Sequence, residues 1–154
     1  MKFYKQTLFI VLLFVSCANP FSELPKEIAT YFEKNLHDPN SFEIVDISSS
    51  QLSFEEYELF IGGKPKELTI EEYLQKESGI KKIQDEILQD KDSYPIVHLL
   101  RYRAKNKLGA LALNSKYCVT FPDGRLIGCY SNFDDYSNGI YNEILKPKIE
   151  HLLL

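Results

Sequence analysis

The chain has 154 residues, 44% of them hydrophobic and 26% charged, with a net charge of −4. That composition predicts one ordinary globular domain; the acidic balance argues against general nucleic-acid binding, and three cysteines are too few for a disulfide-built scaffold. Ten Phe and ten Tyr supply enough apolar volume for a packed core.

The first residues, MKFYKQTLFIVLLFVSCANP, read as an export signal. Lys2 and Lys5 form a positive start, and Thr7–Val15 is an apolar run too short for a stable membrane span. Phe14-Val15-Ser16-Cys17 is similar to a bacterial lipobox, although Phe14 stands where leucine is usual. On that reading residues 1–16 are removed and Cys17 carries the acyl chains. Residues 17–21 are then a tether, and 22–154 a single domain outside the cytoplasm. Ser16-x-Ala18 offers the alternative, ordinary cleavage and free secretion. Lipidation removes Lys2 and Lys5, leaving 16 basic and 22 acidic residues.

Beyond the tether, Ile28, Tyr31, Phe32 and Leu36 fall on one helical face, predicting a helix over 23–37 that ends at Asp38-Pro39. A strand is expected at 42–48, broken by Ser48-Ser49-Ser50. Residues 52–61 fit either a strand or a helical turn. Thr69 and Glu72 form a capping box with Leu68 and Tyr73 at the staple positions. They predict a helix over 70–77 that stops at Ser78-Gly79, then a second over 79–90.

Residues 94–131 predict three antiparallel strands. In the first, Ile96, Leu100, Tyr102 and Ala104 point one way, and Val97, Leu99, Arg101, Arg103 and Lys105 the other. The strand should therefore be buried on both sides early and carry a cationic face late. Phe121-Pro122-Asp123-Gly124-Arg125 marks a tight hairpin. Residues 132–139 read as a polar loop. Ile140, Ile144, Leu145, Ile149 and Leu152 return to helical spacing, with a kink or restart expected at Pro147.

His37-Asp38-Pro39-Asn40-Ser41-Phe42, and Arg101-Tyr102-Arg103-Ala104-Lys105-Asn106-x-x-Gly109 joining two strands, resemble a group of uncharacterised exported or lipoprotein bacterial domains. Those domains carry a D-P-x-S-F turn and an R-x-K-N-x-x-G hairpin corner. The likeness spans residues 24–47 and 94–130, with 50–92 as extra material. It implies an α+β fold and carries no catalytic residue.

Chemistry-bearing patterns are sparse. Cys118 and Cys129 flank the Pro-Asp-Gly hairpin. A two-residue loop would place them opposite one another, whereas a three-residue loop with Gly124 at the bulge, which the signature favours, faces Cys118 with Gly128. Both alternatives stay open. None of His37, His98 and His151 has a metal partner at the usual spacing, and His98 fits a hydrogen-bonded core imidazole. Asp134 and Asp135 with Asn132 and Asn138 lack the calcium-loop pattern. No nucleophile elbow, phosphate loop or dinucleotide fingerprint is present, so no cofactor or metal is implied.

Residues 94–131 carry six basic residues against Asp123 alone, while 42–93 carry six basic and thirteen acidic. Either the helical layer neutralises the sheet, or the stripe Arg101, Arg103, Lys105 meets an anionic envelope partner.

The sequence thus predicts an α+β fold, an antiparallel β-meander with an N-terminal helix and inserted helices packed on one face. The expected function is that of a non-catalytic envelope lipoprotein, held at the membrane through Cys17 and binding a protein or anionic partner. The alternatives are a secreted inhibitor or immunity-type protein, and an enzyme with an unfamiliar site around His98, Arg101 and Tyr102. A deep pocket joining those three side chains would favour an enzyme, and a flat cationic sheet would favour binding.

Overall fold

A computed structural model describes residues 19–153 apart from Lys64. Residues 1–18, and with them Cys17 and the export signal, lie outside the described residues. The elements are helix α1 (Lys26–Asn35), strand β1 (Glu43–Gln51), helix α2 (Phe54–Ile61), helix α3 (Ile70–Gln89), and strands β2 (Ile96–Lys105), β3 (Leu111–Thr120) and β4 (Leu126–Tyr130). Helix α4 (Phe133–Ile140), a widened π turn (Tyr141–Leu145) and helix α5 (Lys146–Leu153) follow.

The four strands form an antiparallel sheet in sequence order, a simple meander, so the α+β class is as expected. The helices, however, divide between the two faces. Strand alternation puts Leu100, Tyr102, Ala104 and Cys118 on one face, where they pack with Phe21, Leu24, Ile28 and Phe32 of the N-terminal segment and α1. Val119 lies on the other face, in a core with Tyr57, Ile61, Ile87, Tyr136, Ile140 and Ile149 from α2 to α5. Two apolar rows on β2, one on each side, require two covers where the sequence reading expected one. An aromatic cluster of Phe21, Phe32, Phe42 and Tyr102, with centroids 4.7 to 5.4 Å apart, closes the α1 side.

Local signals set most element ends. Ser53 and Glu56 cap α2 reciprocally, resolving residues 52–61 as a helix, and Thr69 and Glu72 do the same for α3. Helix α1 is shorter than the expected 23–37, because Pro25 stands at its N-cap and Leu36 already turns extended. Helix α3 runs unbroken through Ser78-Gly79. The absent side chain of Gly79 faces Leu152 of α5, so tertiary packing overrides the local helix cost of glycine. Buried Gln84 donates to the carbonyls of Ile61, at 2.7 Å, and Gly63, at 2.9 Å, tying the end of α2 to α3.

Strand β1 continues through Ser48-Ser49-Ser50, which pair with Leu99, His98 and Val97. Those serines stay in the ladder because a paired strand exists beside them, a context that composition does not carry. Helix α4 begins inside the expected loop, with Asn132 Oδ1 accepting from the Asp135 amide at 2.9 Å. Pro147 causes the π turn: the Lys146 amide reaches back to Tyr141, which makes room for a ring that cannot continue the regular ladder.

Candidate binding surface

The histidine, arginine and tyrosine considered as a catalytic group do not meet. His98 and Tyr102 lie on the α1 side of β2 and Arg101 on the opposite side, as alternation requires. His98 is 6% exposed. Its Nδ1 lies 2.7 Å from Ser49 Oγ and its Nε2 3.2 Å from Thr120 Oγ1, so both ring nitrogens are satisfied within the fold. Burial lowers its pKa, favouring the neutral ring. Tyr102 is packed against Phe32 and Phe42. His37 and His151 are exposed and distant in sequence from this cluster.

The stripe Arg101, Arg103, Lys105 is exposed on the other face of β2. Helices α2 to α5 cover that face only near Val97, Tyr117 and Val119, so the half towards the β2–β3 corner stays bare. Arg103 pairs with Glu43 at 3.4 Å and Lys105 with Asp38 at 3.7 Å, while Arg101 stands opposite Asp46 in the register. The neutralising carboxylates thus come from β1 and the turn before it, not from the helical layer. All four paired groups are substantially exposed, and such pairs contribute little to stability.

Beside the stripe on β3, Leu113 and Leu111 stand opposite Arg103 and Lys105, each 55% exposed. Leu108, in the corner, is 92% exposed. The corner is fixed by Asn106, whose Oδ1 accepts from the amides of Leu108 at 2.9 Å and Ala110 at 3.1 Å, and by Gly109 at φ +79°. The open surface is therefore a flat strip of cations flanked by leucines, held by a rigid turn. The leucines escaped the sequence reading because an apolar residue on an alternating strand is expected to be buried. The readable signal was a run from Gly109 to Ser115 without a charge.

Cys118 and Cys129 are joined by a disulfide, their Cα atoms 4.0 Å apart. The hairpin loop is the three-residue form: the Phe121 amide donates to Arg125, the Gly124 amide donates to Phe121, and Gly124 has φ +89°. Such a loop alone would face Cys118 with Gly128. A second irregularity corrects the register: Thr120 pairs with Leu126, but Val119 pairs with Gly128, so Ile127 is the extra residue and Cys118 meets Cys129. Nothing in the local sequence marks a bulge at Ile127.

A cleft of about 490 Å³ lies between β4 and α4, lined among others by Lys116, Tyr130, Ser131, Asp135 and Glu143. Lys116 Nζ donates to Ser131 Oγ at 3.1 Å, and Asp135 serves the cap of α4. Near α5, Tyr141 donates to Glu67, which also pairs with Lys146 at 3.4 Å. Burial raises the Glu67 carboxyl, but the Tyr141 hydroxyl and the Lys146 ammonium outweigh it and hold the group below the usual carboxylate range. Burial, then the Glu67 hydrogen bond, pushes the Tyr141 phenol well above its ordinary value. This trio clips the loop before α3 to the last helices. Among the described residues no helix is long and apolar enough to cross a membrane, and no group of three or more His, Cys, Asp or Glu side chains is placed to hold a metal ion.

Comparison of the chain with family models, with curated proteins and with solved structures finds no match to any of them.

Proposed function

We propose that this chain is a lipid-anchored protein of a bacterial envelope that acts by binding, through the bare half of its sheet, and not by catalysis. The observation that carries the reading is Cys17 in its lipobox-like setting, two residues before the first described residue, Asn19. Acyl chains on Cys17 would stabilise membrane attachment by about 0.8 kcal/mol per buried CH2, so a multiply acylated cysteine is a stable anchor.

The position of the body supports the same reading. Phe21 stacks on Phe42 at 4.7 Å, and Phe42 immediately precedes the end of β1 that pairs with Arg103. The chain thus enters the fold at the end of the sheet where the outer face is bare and the corner carries Lys105, Lys107 and Leu108. A flat strip that mixes cations with leucines is suited to an anionic partner surface, and it is a poor place to exclude water from a reaction. The disulfide Cys118–Cys129 suits a body lying outside the cytoplasm.

The test is growth with a taggable fatty acid. The wild-type chain is expected to carry the label and sediment with membranes, and Cys17→Ala to lose both. An unlabelled wild-type chain in the soluble fraction contradicts the anchor.

A further inference from the structure

Strand β3 has ten residues and β4 has five. Their pairing ends at Tyr117 with Tyr130, so from Leu111 to Lys116 strand β3 has a neighbour on the β2 side only among the described residues. The short Cα separation of 4.0 Å at Cys118 and Cys129 marks a narrow pair, whose backbone groups point away from each other. The odd-numbered residues of β3 therefore turn their N–H and C=O towards β4, as Phe121 does towards Arg125. Beyond Tyr117 the same alternation aims the backbone groups of Ser115, Leu113 and Leu111 outward.

Edges of this kind are ordinarily blunted by lysine, proline, a bulge or brevity. Ala110–Ser115, ALALNS, has neither charge nor proline, and no bulge interrupts the β2–β3 register. Only Lys116 guards one end. Six extended residues span about 20 Å, room for one added strand.

We infer that the open edge of β3 is a strand-addition site, which takes an extended acidic segment of another protein as a fifth strand. This deepens the binding reading above and does not depend on the anchor. Charge selects the occupant. Arg101–Tyr117 contains five cations and no carboxylate. Arg103 and Lys105 lean on carboxylates from the β1 side. Arg101 stands opposite Ser115, whose small side chain leaves the guanidinium open towards the edge. Acidic side chains on one face of the added strand would meet Arg101 across Ser115, and apolar ones on its other face would lie beside Ala112. A second copy of the chain would bring five more cations and no acid to the junction. Lipid headgroups would answer the cations but could not continue a backbone ladder.

The experiment uses the full chain in detergent and a fluorescent, acetylated peptide alternating valine with glutamate. Binding is expected to be salt-sensitive and absent for the matching valine–lysine peptide. Arg101→Glu should weaken it about tenfold, the effect of losing one charge contact and gaining a repulsion. Ser115→Pro, which removes one outward N–H, should abolish it, while Ser115→Ala should leave it unchanged. Hydrogen exchange on the wild-type chain gives a readout that needs no variant: the amides of Leu111, Leu113 and Ser115 should slow when the glutamate peptide is added. Equal binding of the lysine peptide, or undiminished binding by a folded Ser115→Pro, overturns the inference. So does slowing of those amides with protein concentration alone, which assigns the edge to a second copy. Slowing by phosphatidylglycerol vesicles that displace the peptide likewise overturns it in favour of a lipid surface. A fatty-acid-labelled chain that binds no peptide contradicts the strand-addition site and leaves the anchor standing; an unlabelled chain that binds it does the reverse.

Discussion

His98 illustrates how one side chain can be read correctly and still mislead. Its place on an apolar row predicted a satisfied core imidazole, and Ser49 and Thr120 supply the partners. The same row suggested a catalytic group with Arg101 and Tyr102, which alternation separates across the sheet. The two hydroxyl partners were not legible, because Ser49 lies 49 positions away and sits in a serine run that reads as a break. A pH dependence follows. Burial lowers the folded pKa of His98, whereas the unfolded chain titrates near an ordinary value of about 6.5. The stability contributed by the neutral ring is present above that unfolded value and is lost as pH falls through the depressed folded value. Urea midpoints measured at about pH 7.5 and about pH 5.5 should drop more for the wild type than for His98→Gln, which can still bond both hydroxyls. Equal drops would show that the buried ring does not control this transition.

At the scale of elements, capping chemistry was the most legible signal and glycine the least. The Thr69–Glu72 box correctly opened α3, and Ser53–Glu56 would have settled α2 by the same rule. Gly79 was read as a stop because its local cost is real, but α5 packs across it. Gly139 in α4 was read as loop, yet it is the glycine with a structural demand. A Cβ there, as at Gly128, would collide with the Tyr130 hydroxyl, so the phenol lies in a slot made by two missing side chains. The two helical glycines should therefore respond in opposite directions. Gly79→Ala adds a methyl in ordinary contact with Leu152, 3.4 Å away, and should raise stability by up to about 1 kcal/mol. Gly139→Ala must displace Tyr130 and should cost about 1–3 kcal/mol. Denaturant midpoints of the two variants decide it; a loss at Gly79 would mean the α3–α5 contact is tighter than described. The register of β4 was not recoverable, since the bulge at Ile127 answers the demands of the disulfide and of core packing and has no turn residue of its own.

At the scale of the whole molecule, the sheet is a wall with unequal covers. One face is closed along β2 by α1 and its aromatic cluster. The other is closed by α2 to α5 only where β4 also pairs, leaving one corner bare on a face and on an edge. The sequence reading reached the first half of this: β2 buried on both sides early, cationic late. It missed the open edge, because strand length in a neighbour is a tertiary property and Leu111 and Leu113 look like core. The proposed partner site requires that this corner be open in the protein by itself. Hydrogen exchange of the free, dilute chain tests that openness most directly, residue by residue along β3. The amides of Leu111, Leu113 and Ser115 should exchange rapidly while those of Tyr117 and Val119, paired with β4, are protected. Uniform protection from Leu111 to Val119 in the dilute chain would mean that the edge is already covered and has no room for a partner strand.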